Sequence, residues 1–127
     1  MTAGDSNSGP LLRIAIVSYY SPVGELNRAL NSLIDAIALL RESRDGGESP
    51  LAEIVLIDNS EDLQLSLEQF DTYRVPLDKL NTELRLIQGQ GNIGYGAAHN
   101  LALVNSTAHY HLIMKSDVVV EKDALMA

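Results

Sequence analysis

The chain has 127 residues, of which none is cysteine and only nine are lysine or arginine. The absence of cysteine excludes a disulfide framework, a zinc site built on thiolates and a cysteine nucleophile. Seventeen aspartate and glutamate residues give a formal net charge of -8. Sequence-independent binding to a phosphate backbone requires clustered Lys and Arg, so we do not expect nucleic acid as a partner.

Long apolar runs are also missing. No segment approaches the roughly 18 consecutive apolar residues of a membrane-spanning helix, so we predict no membrane span in this chain. Residues 1–10, MTAGDSNSGP, are polar and lack the basic and hydrophobic regions of a secretory signal, which is typical of a flexible tail. Residues 11–127 are long enough for one domain with a hydrophobic core, and a cytoplasmic location is the default expectation.

Four apolar segments have the length and composition of buried β-strands. They span residues 11–19, 54–57, 84–87 and 109–114. The alternation of these segments with helical patterns predicts an α/β fold, in which right-handed crossovers build a parallel sheet with helices on both faces.

Three segments between the strands are predicted to be helical. The first is opened by Ser21 as N-cap and Pro22 in the first turn. It carries an apolar stripe at helical spacing, formed by Leu26, Leu30, Leu33, Ile37 and Leu40. The other two predicted helices span residues 61–70 and 97–104.

Polar or glycine-rich clusters follow each predicted strand. Parallel sheets bind ligands outside the carboxyl ends of their strands, so these clusters predict one ligand site on one edge of the sheet. The clusters are residues 18–20, 58–60, 88–96 and 116–117.

The glycine-rich cluster allows two interpretations. Gly89, Gly91 and Gly94 form a literal GxGxxG between a strand and a helix, which is the pattern of a dinucleotide-binding turn, with Asp117 as the ribose-binding acid. A mononucleotide-binding half built from this turn requires a third strand after Asp117, and the two earlier polar strand ends would have no role. An NAD-binding oxidoreductase fragment is therefore the less favoured alternative.

The second interpretation uses all four strand ends. The segments are YYSPVGELNRALNSL, IVLIDNS, GNIGYGAAHN and LIMKSDVVVEKDAL, in this order. Together they resemble the N-terminal, nucleotide-sugar-binding half of a family 2 glycosyltransferase with the Rossmann-like, three-layer GT-A fold, closest in style to rhamnosyltransferase-like members. The resemblance implies inverting transfer of a sugar from a UDP- or dTDP-sugar to a glycan or lipid-linked acceptor. It also implies bacterial cell-surface polysaccharide synthesis, in the cytoplasm or at the inner face of the membrane.

The resemblance also implies the roles of individual residues. Asp117 matches the metal-binding position for Mg²⁺ or Mn²⁺, although Lys115 stands where many relatives have an acid. The predicted substrate-binding residues are Ser18, Tyr19, Asp58, Asn92, Gly94, Gly96 and Asn100. Structural roles compete with some of these, because Asp58 and Asp117 also suit turns and helix caps and the glycines suit a tight turn.

The catalytic base is not assigned. In the family it lies well beyond the metal aspartate, so we expect it after Ala127, and Glu121 and Asp123 are too close to the metal loop to be assigned. We therefore expect this chain to be incomplete, inactive as a transferase by itself and prone to self-association through exposed apolar surface. A non-catalytic nucleotide-binding remnant is the other alternative.

Overall fold

The computed structural model describes residues 10–43, 52–104 and 106–126 of the chain. Within these residues, strands and helices alternate. The strands are β1 (Leu12–Ser18), β2 (Ala52–Asp58), β3 (Glu83–Ile87) and β4 (Tyr110–Lys115). The α-helices are α1 (Val23–Glu42), α2 (Arg74–Lys79) and α3 (Tyr95–Leu103), and 3₁₀ helices span Leu67–Tyr73 and Ala124–Met126. The predicted tail lies outside the described residues except for Pro10.

The four strands form one sheet in the order β3-β2-β1-β4, and every neighbouring pair is parallel. Ser18 pairs with Asp58, and Val17 pairs with both Ile57 and Lys115. The carboxyl ends of β1, β2 and β4 therefore lie level with one another, and the loops that follow them share one edge of the sheet.

Helices cover both faces of the sheet, as predicted. Every residue of β1 is buried, because its alternate side chains enter two different cores. Ile14 and Ile16 pack against α1 and the segment that contains Phe70. Ala15 and Val17 lie in the core on the opposite face. The small residues of α3 that enter this core, Ala98 and Ala102, are fully buried.

Two predictions about the helices are wrong. Ser21 does not cap α1: the N-cap is Pro22, which makes no side-chain capping bond, and the Ser21 hydroxyl contacts Ser116 instead. Residues 61–70 are not a helix, because residues 61–66 form a loop before the 3₁₀ helix begins at Leu67. The carboxylate of Asp58 binds the backbone amides of Gln64 and Leu65 and holds this loop in its non-helical path.

The strand β4 forms one edge of the sheet within the described residues. Tyr110 and Ile113 of this strand are 65% and 49% exposed. Exposed apolar surface is the reason for predicting self-association, and β4 has such surface. Self-association itself stays a prediction. Among the described helices, none is long and apolar enough to cross a membrane.

Candidate functional site

A surface pocket of about 440 Å³ lies at the carboxyl ends of β1, β2 and β4. It is formed by the loops after all four strands together with the first turns of α1 and α3. Its lining residues are Val17, Tyr19, Ser21, Glu25, Asn59, Asn92, Tyr95, Lys115, Ser116 and Asp117. The pocket therefore brings together segments that are widely separated in the sequence, at the edge where parallel sheets bind ligands.

The loop after β4 carries Asp117 and is tied to the start of α1. Ser116 Oγ donates a hydrogen bond to Glu25 Oε2 at 2.8 Å. The hydroxyls of Ser21 and Ser116 are also 2.8 Å apart, and Ser21 must be the donor because the single hydroxyl proton of Ser116 is already shared with Glu25. Asp117 is exposed beside this network, so its carboxylate is available to a ligand.

The glycine-rich loop is tied to the end of β2. Asn59 is buried, and its side-chain Nδ2 donates to Asn92 Oδ1 at 3.2 Å. Asn92 Oδ1 also accepts the backbone N–H of Gly94 at 3.0 Å. Gly94 has a φ of 87° and is the N-cap of α3, so a residue with a Cβ would be strained at this position. These contacts set the direction in which α3 leaves the pocket.

Asp58 is completely buried at the end of β2. Its Oδ1 accepts the N–H of Ser60 at 3.2 Å, and its Oδ2 accepts those of Gln64 at 2.7 Å and Leu65 at 3.0 Å. Asp58 therefore stabilises the turn that follows β2, which is the structural alternative to a contact with the nucleoside. A ligand would reach this carboxylate only if residues 60–65 moved, so direct contact stays a prediction.

Two tyrosines follow β1 at the rim of the pocket. Tyr19 is 52% exposed and its ring meets that of Tyr20 edge-on, with centroids 4.8 Å apart. Tyr20 has a φ of 51°, in the left-handed region, where asparagine is far better tolerated than a bulky residue. Bonds from Tyr20 N to Ser60 Oγ and from Asp62 N to Tyr20 Oη hold this conformation. The loop pinned by Asp58 therefore supports the tyrosine pair.

A second aromatic contact lies within α3. Tyr95, in the first turn of α3, meets the His99 ring edge-on at 4.4 Å. Burial, followed by the negative charge of Asp117, raises the pKa of Tyr95. His99 is only 3% exposed, both of its ring nitrogens lack a partner among the described residues, and burial lowers its pKa. His99 is therefore a neutral packing residue.

The predicted substrate residues divide into three groups. Tyr19 and Asn92 line the pocket, as does the predicted metal residue Asp117. Ser18 and Asp58 are buried beneath its rim, and the hydroxyl of Ser18 has no partner among the described residues. The three predicted residues on or beside α3 are exposed outside the lining: Gly94, Gly96 and Asn100. Gly96 is helical and does not use a positive φ.

Sequence reasoning missed Glu25 and Tyr95 as pocket residues. A signal for each was present: Glu25 lies in the first turn of a helix that begins at the ligand-binding edge, and Tyr95 stands between two glycines. Glu121 and Asp123, which were not assigned as the base, are exposed and are not among the residues lining the pocket.

The pocket fits a divalent cation only in combination with a ligand. Among residues 10–43, 52–104 and 106–126, no group of three or more His, Cys, Asp and Glu side chains is arranged to hold a metal ion. The pocket does contain the carboxylates of Glu25 and Asp117. Mg²⁺ is commonly held by one or two carboxylates plus substrate phosphates and water. The donor set therefore suits a cation that is bound together with a diphosphate.

The α/β fold is supported by comparison with solved structures. No protein family model matches the chain, and no curated protein matches it. Among solved structures, it is similar to Staphylococcus aureus TarS 1-349, with a TM-score of 0.65 at 25% sequence identity. TarS is a wall teichoic acid glycosyltransferase. The chain has a glycosyltransferase-like fold. The match covers 91% of this chain and 30% of the TarS chain, and the predicted Rossmann-like three-layer α/β architecture is confirmed.

Proposed function

We propose that the chain is the donor-binding part of an inverting glycosyltransferase that uses a UDP- or dTDP-sugar. The proposal rests on one observation. Tyr19, Asn92 and Asp117 line the same pocket, and each lies in a different segment of the chain that resembles family 2 glycosyltransferases. The similarity to TarS is an independent support, because a structural match to a glycosyltransferase does not depend on these motifs.

The chemistry of the pocket suits a nucleoside diphosphate sugar. The exposed rings of Tyr19 and Tyr20 offer a surface for the nucleobase, and aromatic rings stack on any base. The loop that Asn59 and Asn92 hold together leads to the N-terminus of α3, where backbone N–H groups favour an anionic group. The diphosphate is then placed between this helix and Asp117.

A divalent cation, Mg²⁺ or Mn²⁺, would neutralise the diphosphate as it leaves the sugar. In this proposal Asp117 holds the cation. Lys115 also lines the pocket and contributes positive charge in a protein whose net charge of -8 opposes phosphate binding. Inversion requires a general base that deprotonates the acceptor hydroxyl, and we assign that role to no described residue.

The acceptor and the biological setting belong to the same proposal. The rhamnosyltransferase-like motifs favour a glycan or lipid-linked acceptor in bacterial cell-surface polysaccharide synthesis, at the cytoplasmic face of the membrane. The relation to TarS, a wall teichoic acid enzyme, is in keeping with a cell-surface product.

The test is calorimetric titration of the 127-residue chain with UDP, dTDP and NADH, each with and without Mn²⁺. We expect UDP or dTDP to bind more tightly with Mn²⁺, and Asp117→Asn to remove that increase. The matched control is Asp123→Asn, which removes an exposed acid that does not line the pocket. Tight binding of NADH alone, or an Mn²⁺ effect that survives in Asp117→Asn, would contradict the proposal.

A further inference from the structure

Glu25 occupies an unusual place between the start of α1 and the loop of Asp117. It lies in the first turn of the helix, lines the pocket and is half-buried. A carboxylate is favoured here because the N-terminus of a helix carries partial positive charge. Its Oε2 accepts the hydroxyl of Ser116, the residue that precedes Asp117. Hydrogen bonds to an ionised acceptor are stronger than neutral ones.

The same helix holds the loop at a second point. Ser32, two turns further along α1, accepts the backbone N–H of Val120 through its Oγ at 3.0 Å. Between these anchors the chain turns, with Val118 N–H donating to Lys115 O at 3.2 Å. Asp117 is therefore an exposed residue in a short turn that α1 holds on both sides, at Ser116 and at Val120.

We infer that Glu25 is a positioning residue for Asp117, and this inference rests on the proposed function. By accepting the Ser116 hydroxyl, Glu25 fixes the turn and keeps the Asp117 carboxylate directed into the pocket. Glu25 acts through Ser116 and does not itself hold the cation. The hydrogen bond, more than the negative charge of Glu25, is what the site requires.

Three substitutions test the positioning role of Glu25. Glu25→Gln keeps an oxygen that can accept the Ser116 hydroxyl and loses only the charge. Glu25→Ala and Ser116→Ala each remove the bond between Glu25 and Ser116. Ser116→Ala also removes the bond that Ser21 donates to Ser116. Asp35→Asn is the control, because Asp35 is an exposed acid elsewhere on α1.

The experiment is Mn²⁺ titration by electron paramagnetic resonance in the presence of saturating UDP. We expect Glu25→Ala and Ser116→Ala each to weaken Mn²⁺ binding roughly tenfold, as loss of a hydrogen bond to a charged group would. The double variant of Glu25→Ala and Ser116→Ala should be no weaker than Ser116→Ala alone, because Ser116→Ala already breaks the bond to Glu25. Glu25→Gln should lie between Glu25→Ala and the unmodified chain, because a neutral acceptor forms a weaker hydrogen bond. Asp35→Asn should remain close to the unmodified chain. If Glu25→Gln is as weak as Glu25→Ala while Ser116→Ala binds normally, Glu25 is a direct ligand and the inference is wrong.

Amide hydrogen exchange provides a measurement that does not depend on the cation. We expect the Val118 amide to exchange faster in Glu25→Ala and to remain protected in Glu25→Gln, with the Val120 amide unchanged in both. Unchanged protection of Val118 in Glu25→Ala would overturn the positioning role. If the unmodified chain binds no Mn²⁺ with UDP, the proposed function fails, and the exchange data still decide whether Glu25 orders the turn.

Discussion

Asn59 and Asn92, which are 33 residues apart, join the loops after β2 and β3 through a hydrogen bond of 3.2 Å from Nδ2 to Oδ1. Asn59 Oδ1 also accepts the N–H of Ile93 at 3.3 Å, so both ends of its amide group hold the glycine-rich loop. Because Asn59 is buried and its own N–H donates to Ser18 O at 2.7 Å, the loop is attached to the rigid centre of the sheet.

The first prediction concerns Asn92. Asn92→Ala removes the acceptor for Asn59 and Gly94, and we expect a loss of about 1–2 kcal/mol in the free energy of unfolding. Asn92→Asp keeps an acceptor for both donors, so its stability should be near that of the unmodified chain. If the diphosphate lies at the N-terminus of α3, as proposed, the added charge of Asn92→Asp in the pocket should weaken UDP binding. Urea denaturation and calorimetry measure the two effects, and normal UDP affinity in Asn92→Asp would place the ligand elsewhere.

The second prediction concerns Asp58. Asn has one acceptor oxygen, and its NH₂ group would face backbone donors, so Asp58→Asn should lower the free energy of unfolding by about 2–3 kcal/mol. If Asp58 instead contacts the nucleoside, as the family resemblance implies, Asp58→Asn should weaken nucleotide binding with little change in melting temperature. Thermal melting with and without UDP separates the two roles, with the exposed Asp62→Asn as control. An unchanged melting temperature with weakened UDP binding would favour direct nucleoside contact.

A third prediction concerns Gly96, which lies in the first turns of α3. A Cβ added there meets nothing within 4 Å, and its φ is not positive. Gly96→Ala should therefore stabilise the chain by about 0.5–1 kcal/mol, since Gly is a poor helix former. If a ligand approaches the backbone at this position, UDP binding should weaken at the same time. Increased stability with unchanged UDP affinity would show that Gly96 has no part in binding.

The fourth prediction is a pH dependence of stability caused by His99. Burial lowers the pKa of His99 in the folded chain, whereas the unfolded chain titrates near the ordinary value of about 6.5. As the pH falls below that value, the unfolded state takes up the proton first, so stability falls with acidification. His99→Phe retains an aromatic ring against Tyr95 and should flatten the dependence between about pH 7 and pH 5. The exposed His109→Gln variant should keep the original slope, and an equal slope in His99→Phe would assign the effect to other groups.

The sequence by itself determined the four strands and the edge of the sheet at which the pocket lies. Apolar runs of strand length that alternate with helical segments are typical of a parallel sheet covered on both faces, and in a parallel sheet all carboxyl ends lie on one edge. Tyr19, Asn92 and Asp117 lie in the loops after β1, β3 and β4, and the family resemblance selected them within those loops.

Only the tertiary structure decided how side chains at that edge are used. The sequence pattern of Asp58 is the same whether its carboxylate faces a ligand or the amides of its own loop, and the path of residues 60–65 selects the amides. Glu25 and Tyr95 enter the pocket from helix N-termini, whose distance from β4 and β2 depends on how the helices pack on the sheet. Local propensity and hydrophobic period contain no information about that packing, which is set by contacts between residues far apart in the chain.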